Sequence, residues 1–140
     1  MSQPAAISEE VGRFLDREPV GVVATLRPDG TARQSVTYYV RDGGRIFIST
    51  ESKRAKARDV ARSGWASLCV VGHAPPFPSV TVEGPARILR SGIADGTARI
   101  FAKMTGGNPP EMTDKTLADM DRVILEITMD RVYGASYLNQ

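Results

Sequence analysis

Three β-forming runs separated by two tight turns fill the chain between residues 20 and 50, and they restrict its fold more than any other feature. The first run, 20–26, is apolar and closes on Arg27-Pro28-Asp29-Gly30, where proline presets φ and Asp-Gly supplies turn chemistry. The second, 32–41, carries Gln34, Ser35, Val36, Thr37, Tyr38, Tyr39 and Val40, and Asp42-Gly43-Gly44 returns it into a third that begins Ile46-Phe47-Ile48. Turns this short join antiparallel neighbours, so the expectation is a three-stranded meander. The polar residues of the second run are unusual for a wholly buried strand. They predict that one face borders solvent or a ligand.

The remaining runs extend the sheet. Residues 65–71 are almost continuously apolar and predict a strand buried on both faces, with the single cysteine, Cys69, as an inert buried thiol. Residues 79–89 alternate as a strand but are interrupted by Gly84-Pro85, a bend of the kind a small barrel needs at its corners. Residues 122–129 alternate cleanly. Helices are expected over 8–18, capped by Ser8, over the basic segment 53–62, over 92–105 before the stop at 106–110, and for one or two turns in 113–120. The stretch 72–78 holds three prolines and presents Phe77 on a stiff loop. Six strands, mostly antiparallel, with short flanking helices predict a mainly β (α+β) closed or half-closed barrel, because closure removes exposed edges. At 140 residues, 1–140 reads as a single domain.

Directly after the third run the chain becomes basic: Ser49-Thr50, then Ser52, Lys53, Arg54, Lys56 and Arg58. An ordinary helix prefers acidic residues in its first turn, so cations there suggest an anion held at the helix start, with Ser52 as the candidate N-cap. The bland alternative is a solvated face, with Arg54, Arg58 and Arg62 spaced at i, i+4 and i+8.

A net charge of only +2 argues against general nucleic-acid binding and concentrates attention on that one cluster. The single histidine, His73, lacks the company a metal site requires. Neither a long apolar run nor an export signal at the N-terminus is found, so a cytoplasmic protein without a membrane span is expected.

Several segments in this order resemble one known family. Gly21-Val22-Val23-Ala24-Thr25, the turn Pro28-Asp29-Gly30, Ile46-Phe47-Ile48-Ser49-Thr50 and Arg54-Ala55-Lys56-Ala57-Arg58 resemble the FMN-binding split β-barrel superfamily typified by pyridoxamine 5'-phosphate oxidase. Val82-Glu83-Gly84-Pro85-Ala86, Thr105-Gly106-Gly107 and the stretch from Arg122-Val123-Ile124-Leu125 to Arg131-Val132-Tyr133-Gly134 are similar to its short deazaflavin-dependent reductases. The resemblance implies a six-stranded antiparallel split barrel, and a homodimer with cofactors in grooves between subunits. It implies phosphate contacts from Arg54 and Lys56, with Lys53 and Arg58 assisting. It further places Ser49 and Thr50, with Ile48 before them, along the phosphate and ribityl chain, and Ser35, Val36 and Thr37 along the tricyclic ring. Pro76, Phe77 and Pro78 would shape the substrate side.

The activity implied is hydride transfer from reduced coenzyme F-420, an 8-hydroxy-5-deazaflavin, to an electron-poor small molecule of enone, quinone or tetrapyrrole type. The alternatives are an FMN-dependent oxidase or reductase, and a non-catalytic flavin or tetrapyrrole binding module. The arginine-containing C-terminal segment that the oxidase applies to its substrate has no counterpart here, so pyridoxamine phosphate oxidation is not expected. No nucleophile–base pair stands out and no catalytic residue is assigned. Tyr38, Tyr39 and His73 are the available proton donors, each read first as structural.

Overall fold

A computed structural model describes residues 3–109 and 111–134. Helix α1 (Glu9–Arg17) starts where Ser8 accepts a hydrogen bond from the Val11 N–H, and it buries Phe14 and Leu15. Strands β1 (Val20–Leu26) and β2 (Ala32–Tyr38) form the expected hairpin, paired from Val20 with Tyr38 to Leu26 with Ala32. Its turn is fixed by the Asp29 carboxylate, which accepts from the Thr31 N–H and hydroxyl. Next come β3 (Val40–Asp42), β4 (Arg45–Glu51), α2 (Ala55–Ser63), β5 (Trp65–Val71) and β6 (Ser79–Leu89). Helices α3 (Ala94–Thr105) and α4 (Asp114–Asp119) and strands β7 (Arg122–Thr128) and β8 (Arg131–Tyr133) complete the chain. Pro110, expected in the stop after α3, lies outside the described residues.

The strands number eight rather than six. They run β2-β1-β5-β6-β7-β4-β3, with β8 beside β6, and every pairing is antiparallel. The meander is replaced by a crossing: β2 pairs with β1, whereas β3 pairs with β4. Tyr39 is the pivot. It is fully buried, and its hydroxyl lies 2.6 Å from the Leu15 carbonyl and 2.9 Å from that of Glu18. The i+4 partner of the Leu15 carbonyl would be Pro19, which has no N–H, so the phenol satisfies an acceptor that the helix cannot. Burying that side chain turns a continuous β-prone run from one sheet into the other.

The expected bend at Gly84-Pro85 is the second crossing. β6 pairs with β5 as far as Pro85 opposite Trp65, and with β7 from Ala86 opposite Ile127. A Cβ on Gly84 would lie 2.2 Å from the Thr128 carbonyl oxygen, so only glycine admits this approach. The inward residues, among them Val23, Leu68, Val82, Ile48 and Leu125, form the main core, which α1 plugs with Phe14 and Leu15. A smaller cluster of Ile93, Leu117 and Ile124 packs α3 and α4 on the outer face of β4 and β7, with Phe47 against it. The Asp114 carboxylate ties the entry to α3, accepting from the N–H groups of Gly92 and Ile93.

β5 is not buried on both faces. Ala66, Leu68 and Val70 point inward, but Val71 is exposed and Cys69 only half-buried, because β1, β5, β6 and β8 leave their outer face uncovered. No helix among the described residues is long and apolar enough to cross a membrane.

Candidate functional site

The split in the barrel lies between the edge strand β2 and the outer face of β4 and β7, and α3 forms its roof. Thr37 and Tyr38 from β2, Ser49 from β4, Arg122 from β7 and Ile100, Phe101 and Met104 from α3 line a cleft of about 80 Å³. Alternation explains which residues reach it. Ile46, Ile48 and Thr50 face the barrel interior, so Phe47, Ser49 and Glu51 face outward beside Ile124 and Arg122.

Cations gather at one end of this cleft. The Arg122 guanidinium donates to Ser49 Oγ at 2.7 Å. Lys56, in the first turn of α2, is half-buried; burial, then Arg54 and Arg122, hold its ammonium below the ordinary lysine range. Among the described residues neither Lys56 nor Arg122 has a carboxylate partner. Such a cluster is unfavourable in isolation and fits an anion. The start of α2 contributes in the same direction: Arg54 occupies the N-cap position and, as a donor-only side chain, makes no capping hydrogen bond to the first-turn N–H groups.

Ser52 is not the cap. Its hydroxyl donates to Asp121 Oδ1 at 2.5 Å and its N–H to the Asp121 carbonyl, because the chain needs one more turn before the helix begins. Lys53 and Arg54 share Glu51 at 3.3 and 3.2 Å; hydrogen bonds from these two keep its carboxyl below the ordinary value. Arg62 pairs with Asp59 and reaches the Leu26 carbonyl. Arg58 is exposed, without an ion pair among the described residues.

The structure thus brings together Thr37, Ser49, Arg54 and Lys56 of the residues singled out in the sequence. Ser35 and Val36 are exposed on the edge strand, while the side chains of Ile48 and Thr50 are turned into the barrel. Pro76, Phe77 and Pro78 lie in the β5–β6 loop, outside the cleft lining. That loop is closed by the Gly72 N–H on the Pro78 carbonyl, and His73 anchors it through its N–H and Nδ1 to the buried Glu18 carboxylate, both at 3.1 Å. Of the three proton donors considered, only Tyr38 borders the cleft. Burial pushes the Tyr39 phenol far above its ordinary range.

Arg122, Phe101 and Met104 are site residues that the pattern alone did not single out. Arg122 opens a strand that also carries Glu126 and Thr128, so its charge alone does not mark it; the two apolar residues are indistinguishable from helix core. Among the described residues no cluster suits a metal ion.

Comparison with known proteins agrees with this fold. The family model described as pyridoxamine 5'-phosphate oxidase matches residues 7–135. A solved F420 reductase shares 22% identity at a TM-score of 0.74, over 91% of this chain and 99% of that one. The conserved hypothetical protein Rv2991 from Mycobacterium tuberculosis shares 24% at 0.77, over 100% and 94%. An FAD and heme binding protein from Mycobacterium smegmatis shares 20% at 0.70, over 93% and 71%. No curated protein matches the sequence.

Proposed function

Because the chain belongs to the pyridoxamine 5'-phosphate oxidase family, we propose that it is a flavin-type oxidoreductase using coenzyme F-420. The observation that carries this reading is the group of Lys56, Arg122 and Arg54 beside the Ser49 hydroxyl, at one end of a cleft with apolar walls. Lys56 and Arg122 would bind the cofactor phosphate, with Arg54 at its edge. Ser49 would orient it through the oxygen that Arg122 already fixes. Ile100, Phe101 and Met104 would exclude water from the ring side, and Tyr38, which borders the cleft, would move a proton there. Bound in this cleft, the coenzyme would supply hydride to an electron-poor enone, quinone or tetrapyrrole.

A homodimer belongs to the same reading. Ligand pockets typically measure about 300–1,000 Å³, so 80 Å³ cannot enclose a tricyclic ring without a further wall. The outer face of the strands β2, β1, β5, β6 and β8 carries Val36, Tyr38, Val71 and Tyr133, all exposed. A second copy laid against it would bury that face and close the groove.

One observation favours FMN as the runner-up. Lys53 and Arg62 are engaged by Glu51 and Asp59, leaving Arg58 as the exposed cation of the segment for an acidic tail beyond the phosphate. Titration with each oxidised cofactor, followed by fluorescence quenching, separates the two: micromolar FMN binding with none of the deazaflavin overturns the choice made here. Turnover of the reduced coenzyme with quinones, enones and biliverdin tests catalysis. Unchanged coenzyme absorbance throughout would leave a binding module.

A further inference from the structure

Helix α3 separates two depressions. Ile100, Phe101 and Met104 border the cleft described above, whereas Arg99 and Lys103 border a groove of about 430 Å³ completed by Asp16, Val40, Arg41 and Gly43. In that groove Arg41 is held by both Asp16 oxygens, at 3.0 and 2.7 Å. Arg99 donates to the Arg41 carbonyl at 3.1 Å and lies 3.5 Å from Asp42. Lys103 differs from both. It has no carboxylate partner among the described residues; its Nζ lies 3.7 Å from the Tyr39 ring centroid and donates to the Leu15 carbonyl at 2.9 Å.

We propose that Lys103 is a covalent modification site, whose amine accepts an acyl group from a small acyl phosphate entering the groove past Arg99. The Nζ lone pair forms the new C–N bond to the acyl carbon. The C–O bond to phosphate breaks, phosphate leaves with that electron pair, and the surplus amine proton passes to water. Arg99, at the rim with its side chain 38% exposed, supplies the positive charge for the donor's phosphate. The resulting amide retains one N–H for the Leu15 carbonyl, so the acceptor created by Pro19 stays satisfied after the charge over the Tyr39 ring is lost.

Burial also raises the share of the amine in its reactive, neutral form. Burial lowers Lys103 from 10.5 to about 8; Asp16 and Glu18 pull it back, and Arg41 reinforces the drop. The inference is independent of which cofactor occupies the other side of α3.

The chain has four lysines, and two of the others, Lys53 and Lys115, serve as internal references. Lys53 and Lys115 are 73% and 87% exposed, so access alone favours them. Folded protein is treated with acetyl phosphate and each lysine's acetylation rate is read by peptide mass mapping. At about pH 7.5, Lys103 is expected to react at least about tenfold faster than Lys53 and Lys115, an advantage that vanishes in concentrated urea. Its rate should level off above pH about 8. Arg99→Gln should slow the reaction with acetyl phosphate but not with uncharged phenyl acetate. Lys103 reacting no faster than Lys53 and Lys115, or keeping its advantage when unfolded, overturns the site. Indifference of the acetyl phosphate rate to Arg99→Gln overturns the assignment of the donor.

Discussion

Replacing Lys56 by Met distinguishes a binding site from a solvated helix face, because the two readings predict opposite patterns. Methionine keeps most of the apolar stem and removes the charge. In the free protein that charge is partly stripped of water and lies near Arg54 and Arg122, with no carboxylate partner among the described residues. Removing it relieves repulsion, so the melting temperature of the cofactor-free protein should stay level or rise. Binding should behave differently. A hydrogen bond to a charged group contributes about 1.5–3 kcal/mol, equivalent to roughly 10- to 150-fold in affinity. Fluorescence titration of Lys56→Met with F-420 and FMN should show a loss of that size for whichever cofactor the native protein binds, smaller at high salt. Thermal denaturation of the same samples supplies the control. An unchanged dissociation constant together with a lowered melting temperature would refute the reasoning, since Lys56 would then be stabilising the fold rather than waiting for an anion.

Other outcomes follow from the same structure. Arg122→Gln should weaken cofactor binding by about tenfold or more, and Ser49→Ala added to it should cost little further, because the two act through one contact at 2.7 Å; full additivity in a double-mutant cycle would break that link. Glu18 and Asp59 both have lowered pKa values: burial alone would raise each, but hydrogen bonds from His73 and Arg17, and from Arg33 and Thr25, outweigh it. Such groups stabilise the fold above their unfolded values of 4.5 and 3.8, and the contribution is lost as pH falls through the lower folded values. Urea midpoints should therefore drop below pH about 4.5, and Glu18→Gln should flatten the drop; an identical pH slope would count against it. Gly84→Ala forces a methyl group against the Thr128 carbonyl and should destabilise by about 3 kcal/mol in chemical denaturation, whereas a neutral result would mean that the crossing relaxes freely.

Much of this architecture was legible because its signals are local. Ser8 as a cap, Asp29-Gly30 as a turn and Gly84-Pro85 as a bend each follow from the chemistry of a few adjacent residues. What escaped depended on partners far along the chain. Tyr39 looks like any strand residue until the carbonyls of Leu15 and Glu18 are seen to engage its hydroxyl, and so in the sequence the crossing between sheets has the pattern of a continuous strand. Ser52 has the chemistry of a cap, but Asp121, distant in sequence, engages it first. Lys56 and Arg54 were recognisable as cations in the wrong part of a helix. Arg122 was not, since nothing local indicates that β7 runs beside β4 and delivers it to Ser49.

The eleven residues of β6 bear on how this molecule comes apart. One strand is stitched to β5 and β8 in its first part and to β7 in its last, so neither sheet has a full set of neighbours without the other. Half a barrel is not an available intermediate. Backbone amides of Val82 and Ile88, on opposite sides of Pro85, should exchange with deuterium through the same global opening and respond equally to denaturant, as cooperative units do.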